Sequence, residues 1–409
     1  MQRTLPARLS PLALLAALLV GMPAAAQAQD RNCRNTGNFE RWLADFKREA
    51  AAQKISASAI NAASPYLVLD QKIIGIDRGQ RFFAQTFLEF SKKVIPAYRL
   101  QRGAQLIKKH DAIFRRVDKD YGVPAAVIVA FWGLESDFGA SQGKYQVLRS
   151  LATLAYDCRR SEMFRGYLFD ALRIIQRGDL RPEEMIGSWA GEMGQTQMMP
   201  TEYFRHAVDY DGDGRRNLLK SIPDTLASTA AYLVHFGWKR GQPWLQEVRV
   251  PARLPWEQAD LSIKHPRATW AKWGVTSANG SPLTADGLPA SLVLPMGRRG
   301  PAFLAYENFN VYTQWNNSLI YSLSAGYYAT RLAGAPAMRP VRDKIPGLSF
   351  EEVRELQQHL ARRGYDVGRI DGILGLKSRQ AVRDMQMKLK LPADSWPTQE
   401  LLAALRRSR

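Results

Sequence analysis

Apolar residues recur at helical spacing through the first half of the chain. Phe39, Trp42, Leu43 and Phe46 share one face, and Leu106, Ile107, Ile113, Phe114 and Val117 repeat the pattern, so both stretches read as amphipathic helices. Val123-Pro124 then marks a helix start, because proline suits the first turn. From Ala125 the pattern runs through Val127, Ile128, Ala130, Phe131 and Trp132 to Glu135, apolar on nearly every side, which predicts a largely buried helix. Further helices are predicted over 151–176, 221–236 and 318–332. Between 251 and 309 periodicity is poor and Pro, Gly and Trp are frequent, with short strand-like runs such as Ser291 to Leu294. Residues 333–347, with Ala-Gly-Ala-Pro-Ala-Met-Arg-Pro at their head, read as a linker. Beyond it Val353, Leu356 and Leu360 predict one short helix and Val382, Met385 and Leu389 another, separated by the glycine-rich turn 368–375.

The start of the chain has a different logic. Arg3 and Arg8 precede an apolar run from Leu12 to Val20, and Ala26-Gln27-Ala28 forms an A-x-A cleavage site, so residues 1–28 read as a secretory signal peptide. The run is shorter than the ~20 residues a spanning helix needs, and no later segment is apolar enough to span a bilayer. A soluble, exported, periplasmic protein is expected. In an oxidising compartment the two cysteines, Cys33 and Cys158, are expected to form a disulfide; two free thiols are the alternative.

Composition narrows the partner. The 57 Lys+Arg against 38 Asp+Glu leave a formal charge of +19, which favours an acidic polymer, and export turns the expectation from nucleic acid to peptidoglycan with its stem-peptide carboxylates. There is no P-loop, G-x-S-x-G or H-E-x-x-H motif, and the five histidines are scattered, so zinc is not implied.

Three segments carry candidate chemistry. Phe131-Trp132-Gly133-Leu134-Glu135-Ser136-Asp137-Phe138-Gly139 puts a carboxyl at the end of an apolar helix, where desolvation favours the neutral form that a general acid needs. Asp137 lies about 200° around a helix from Glu135 and is expected to cap the next segment of chain. The run from Gly187 to Pro200 is rich in glycine and amides, which suits close approach to a carbohydrate, and its Glu192 could supply a second carboxylate for hydrolysis. Asp209-Tyr210-Asp211-Gly212-Asp213-Gly214-Arg215 matches the first half of an EF-hand loop. Its twelfth position is Lys220 in place of glutamate, so the closing ligand must come from elsewhere, and Asp224 is nearest.

Together these motifs resemble the B-type lytic murein transglycosylases over about Phe39 to Leu332. Asp77-Arg78-Gly79-Gln80, Trp315-Asn316-Asn317-Ser318 and Tyr321 extend the resemblance. The tail is similar to the small peptidoglycan-binding domain through Leu356-Gln357, Gly364-Tyr365, Asp371-Gly372, Gly375, Ala381-Val382 and Gln386. The resemblance implies a mainly α fold: a lysozyme-like helical catalytic core with added helical and small mixed α/β subdomains, plus a small three-helix C-terminal domain. The expected layout is a catalytic domain over 29–332, a linker over 333–347 and a peptidoglycan-binding domain over 348–409.

The same resemblance implies non-hydrolytic cleavage of the β-1,4 bond between N-acetylmuramic acid and N-acetylglucosamine, leaving a 1,6-anhydro-muramoyl end. Glu135 is the implied acid/base. Ser188, Gln197 and Tyr321 are implied to contact the sugar or orient the acid. Glu192 is a further candidate for substrate binding, and Trp315, where the family carries an aromatic residue, would stack on a sugar. A structural calcium ion is implied at Asp209, Asp211, Asp213, the Arg215 carbonyl and Asp224, with no organic cofactor. The expected partners are peptidoglycan glycan strands, with other cell-wall enzymes as a second class. The competing readings are a hydrolytic muramidase and a non-catalytic wall-binding protein.

Overall fold

The computed structural model describes residues 35, 37–79, 85–341 and 345–407. They divide into two compact units, one holding 35–79 and 131–232 and the other 85–130 and 233–407, within those described limits.

The first unit is helical. Phe39–Ala52 begins at Asn38, whose side chain accepts from the Arg41 main-chain N–H, and it turns Leu43, Phe46 and Ala50 inward. Phe46 stacks on Phe169 with ring centroids 4.6 Å apart. That contact ties this helix to Ser161–Arg177, which packs along Val147–Tyr156 through Leu148, Leu151, Phe164, Leu168 and Leu172, all buried.

The single helix expected over 151–176 is therefore two. The first ends at Tyr156 because the backbone turns extended at Asp157, whose buried carboxylate accepts from Arg78 at 2.6 Å and from the Asn35 amide at 3.3 Å. Cys158, next in line, is disulfide-bonded. Its expected partner, Cys33, lies outside the described residues, as does the whole segment 1–28 that is expected to be a signal peptide. These tethers interrupt a pattern that apolar spacing alone runs straight through.

The second unit combines helices with a sheet. Helices Phe87–Val94, Ala97–Lys109 and Asp111–Tyr121 precede it, and Phe309–Trp315 and Leu319–Leu332 follow it. Five antiparallel strands lie in the order His265–Pro266, Pro289–Val293, Ala302–Ala305, Leu245–Arg249, Thr276–Ser277. Their buried face gathers Val248, Leu292 and Leu304 around Trp270, whose indole N–H donates to the Ala290 carbonyl at 2.8 Å. The strand-like run near Ser291 is thus a central strand of a small mixed subdomain.

The tail forms three helices, Phe350–Arg362, Leu376–Lys388 and Gln399–Arg407, around Leu356, Leu360, Val382, Met385, Leu401 and Leu405. Buried Gln357 explains two of the tail motifs at once: its amide donates to the Ile373 carbonyl at 2.9 Å and accepts from the Gly372 N–H at 2.8 Å, closing the turn between the helices. The segment leading to the tail lies against the chain. The Met338 N–H donates to the Tyr327 hydroxyl at 2.9 Å, the Arg339 N–H to Glu247 at 3.1 Å, and the Trp396 indole to the Pro346 carbonyl at 2.6 Å.

Candidate functional site

The helix Ala125–Ser136 delivers Glu135 on its last turn. Val127 to Trp132 are almost completely buried, so the end of the helix is fixed in position, and Glu135 itself is only 9 % exposed. The backbone then enters the left-handed region at three consecutive residues, with φ of 52° at Asp137, 62° at Phe138 and 85° at Gly139. Two of these are not glycine, and each such residue costs on the order of 1 kcal/mol, which the surrounding bonds must hold in place. The Ser136 hydroxyl accepts from the Gly139 N–H at 2.8 Å and so caps this turn.

The residues flanking Glu135 are pinned to the amide-rich turn by one residue that sequence reasoning did not single out. Gln195 accepts through Oε1 from the Trp132 indole N–H at 2.9 Å, and its main-chain carbonyl accepts from the Ser136 hydroxyl at 2.5 Å. Trp132 is one turn before Glu135 and Ser136 is next to it, so both bonds bracket the acid. Nothing in the spacing distinguishes Gln195 from Gln197; only the folded turn shows which amide reaches the helix.

The turn itself hangs on a two-stranded ladder, with Tyr145 opposite Gly187 and Gln146 opposite Ile186. Gly143 is needed there twice over: its φ is +101°, and a Cβ would sit 2.0 Å from the Gly187 carbonyl oxygen. Within the turn, Ser188 donates to the Glu192 carboxylate at 2.5 Å and accepts from the main-chain N–H groups of Ala190 and Glu192 at 3.1 and 3.2 Å. A hydroxyl has one donor and two acceptor positions, so Ser188 is fully engaged, and contact with a sugar requires exchange of one of these bonds. Glu192 is 2 % exposed. Gln197 adopts a φ of 51° and donates to the carbonyls of Gly194 at 2.8 Å and Gln142 at 3.2 Å. Trp315 ends the helix Phe309–Trp315 and Tyr321 sits on the first turn of Leu319–Leu332; both are half-buried and belong to the second unit.

The acidic loop is built as an oxygen-rich cradle. Ligand atoms of Asp209, Asp211 and Asp213 all lie within 4.8 Å of one another, and this all-oxygen donor set fits a hard divalent cation such as calcium. Asp224 lies outside that trio. Fully buried, it accepts from the main-chain N–H groups of Tyr210 at 2.8 Å, Asp211 at 3.3 Å and Asn217 at 2.8 Å, clamping the loop from behind. Burial pushes its carboxyl above the usual aspartate range, partly offset by the N–H groups of Asn217 and Tyr210. The Arg215 side chain reaches the Asp179 carbonyl at 2.8 Å and Glu184 at 2.8 Å. The loop's exit then touches the amide-rich turn, because the Gln195 N–H donates to the Leu218 carbonyl at 2.9 Å. A continuous line of bonds therefore joins the acidic loop, through Leu218 and Gln195, to the helix end that carries Glu135.

Residues 38–330 match the transglycosylase SLT domain, and residues 350–405 match a putative peptidoglycan binding domain. The chain belongs to the SLT transglycosylase family. Over 239 residues it is 30% identical to the membrane-bound lytic murein transglycosylase B of Escherichia coli (strain K12), a match covering 58% of this chain and 65% of that protein, or just under two thirds of it. Among solved structures, SltB3 from Pseudomonas aeruginosa in complex with NAG-anhNAM-pentapeptide is 42% identical with a TM-score of 0.82, covering 90% of this chain and 99% of that one. Escherichia coli Slt35 in complex with calcium is 27% identical with a TM-score of 0.60, covering 71% and 92%. The SLT family accounts for the mainly helical fold.

Proposed function

We propose that this SLT-family protein is a lytic murein transglycosylase that cleaves the β-1,4 bond between N-acetylmuramic acid and N-acetylglucosamine without water, leaving 1,6-anhydro-muramoyl ends. One observation carries the reading: Glu135 ends a buried helix and is bracketed by the bonds of Trp132 and Ser136 to Gln195, while Glu192, the turn's own carboxylate, is committed to Ser188. Glu135 donates its proton to the leaving oxygen. It then takes the proton from the muramoyl C6 hydroxyl as that oxygen closes on C1. An internal nucleophile makes this step intramolecular and needs no second carboxylate, whereas hydrolysis by either stereochemical course needs two. The complex of SltB3 with an anhydro-muramoyl pentapeptide supports the same product chemistry.

The supporting parts take their roles from this reading. Trp315 and Tyr321 present an aromatic ring and a phenol for sugar stacking and contact, Gln197 holds the turn in its strained conformation, and Ser188 with Glu192 fixes its tip. Asp209, Asp211, Asp213 and the Arg215 carbonyl would hold calcium, with Asp224, whose Oδ2 accepts a single N–H, as last ligand; calcium would supply charge balance for the loop that buttresses Gln195. The tail retains the enzyme on its polymer. The leader-like segment 1–28 and the proposed peptidoglycan substrate support a periplasmic location; no helix among the described residues is long and apolar enough to cross a membrane.

Mass spectrometry of digested sacculi tests the proposal: the expected muropeptides are lighter by one water than hydrolysis products, and hydrated reducing ends would overturn it in favour of a muramidase. Glu135→Gln should abolish release while leaving sacculus binding intact, and release near the parent rate would remove Glu135 from the chemistry.

A further inference from the structure

A second polar site lies in the unit that carries the tail. A cavity of about 240 Å³ is lined from the mixed subdomain by Asp260, Leu261 and Leu294 and from the tail by Leu376, Arg379 and Ser395. Arg379 is 7 % exposed, yet no carboxylate among the described residues touches it. Its two hydrogen bonds go to main-chain carbonyls, of Pro295 at 3.1 Å and of Leu294, so the remaining N–H donors of the guanidinium, Nε among them, have no hydrogen-bond partner among the described residues.

The neighbouring charges are already spoken for. Asp394 accepts from the Arg298 main chain at 3.0 Å and side chain at 3.1 Å, and from Gln386 at 3.1 Å. Asp260 accepts from the Ser262 N–H at 2.8 Å and hydroxyl at 2.5 Å, and its second oxygen faces Arg383 Nη1 at 3.3 Å without forming a well-directed bond. Arg298 is thus paired with Asp394 and Arg383 with Asp260 and Asp384, while the buried Arg379, 5.8 Å from the Trp396 ring centroid, is left without a carboxylate partner among the described residues. The hydroxyl of Ser395, 4 % exposed, is also without a partner. Burial lowers the Arg379 guanidinium to about 10, with Asp394 and Asp260 opposing the fall only from a distance, so the group is still charged at neutral pH.

We infer that this cavity is a subsite for the terminal carboxylate of a short peptide ending in small apolar residues. A buried guanidinium with free donors recognises a carboxylate, the leucine walls accept methyl-sized side chains, and the volume lies below the roughly 300–1,000 Å³ of drug-sized pockets. Leu319, on the cavity wall, opens the same helix that carries Tyr321, which is proposed to contact the polymer. The inference rests on the proposed peptidoglycan substrate and names the part of it that the tail junction reads.

The test uses the full chain and N-acetyl-D-alanyl-D-alanine as the free acid and as its C-terminal amide, titrated by calorimetry. The acid should bind at least tenfold more tightly than the amide. Gln380 lies exposed on the cavity rim, so Gln380→Glu adds a repelling carboxylate without disturbing the buried contacts and should weaken acid binding five- to tenfold with the amide unaffected. Arg379→Gln should erase the preference for acid. Equal binding of acid and amide, no binding of either at millimolar concentration, or indifference to Gln380→Glu would each overturn the subsite. Sacculus cleavage by the parent is measured in parallel: loss of the acid preference with cleavage intact overturns the subsite alone, while absent cleavage overturns the functional reading beneath it.

Discussion

Replacing Gln195 by alanine removes the acceptor of the Trp132 indole N–H, a donor on a side chain only 1 % exposed. A buried donor left without a partner costs about 1–3 kcal/mol, since the bond to water lost on burial is no longer replaced. For a domain of this size each kcal/mol shifts the melting temperature by roughly 2–4 °C. The Ser136 bond should persist, because it uses the Gln195 main-chain carbonyl. The helix end is then held on one side only, and a misplacement of about 1 Å at a catalytic group costs up to ~100-fold in rate. The expected result is a fall of roughly ten- to a hundredfold in kcat for muropeptide release, with KM little changed, alongside the lower melting temperature. Gln195→Glu, which keeps an oxygen at the same reach, should recover much of both. Trp132→Phe combined with Gln195→Leu should be more stable than Gln195→Ala alone, because removing both partners leaves nothing unsatisfied. Parental stability and kcat in Gln195→Ala would refute the positioning argument outright.

The same geometry makes further outcomes testable. Calcium should raise the melting temperature and chelation lower it, with Asp209→Asn and Asp211→Asn blunting the response; a transition indifferent to chelator would remove the ion from the acidic loop. Gly143→Ala must fit a Cβ 2.0 Å from the Gly187 carbonyl at a φ of +101°, and should destabilise by about 3 kcal/mol or more, seen as a large drop in denaturation midpoint or loss of soluble protein. Glu202 is mostly buried with one carboxylate oxygen lacking a partner, and burial raises its carboxyl above the usual glutamate range, opposed by its own N–H and by Arg205. A raised folded-state value means that stability is fully present below the unfolded value of 4.5 and is lost as pH rises through the folded one. Glu202→Gln should therefore melt higher than the parent at pH 7.5, and the gain should vanish on acidification below 4.5; a gain independent of pH would show that charge burial is not its cause.

Local chemistry determined a good deal by itself. The all-apolar run from Ala125 to Trp132 dictates a buried helix whatever surrounds it, so a carboxyl three residues on had to sit at a desolvated end. Alternating aspartates with glycine at the sixth position likewise fold into an oxygen cradle through short-range bonds, such as Gly214 N–H to Asp209 at 2.9 Å. The spacing of Leu356, Leu360, Val382 and Met385 is enough to specify two of the three tail helices.

Tertiary structure decided the rest, because the partners lie far apart in sequence. The helix break at Asp157 answers to Arg78 and Asn35, 79 and 122 residues away, and periodicity carries no trace of either. Asp224 could be foreseen as the nearest acid to the loop, but its place behind the aspartate trio depends on three N–H groups brought to it by the fold. The choice between two glutamines of one turn was settled by an indole N–H 63 residues upstream, and a linker-like composition at 333–347 gave no hint that the tail would bury an arginine against the main chain of another subdomain. Patterns of polarity fix which residues leave water; which polar group each then meets is set only when distant segments are packed together.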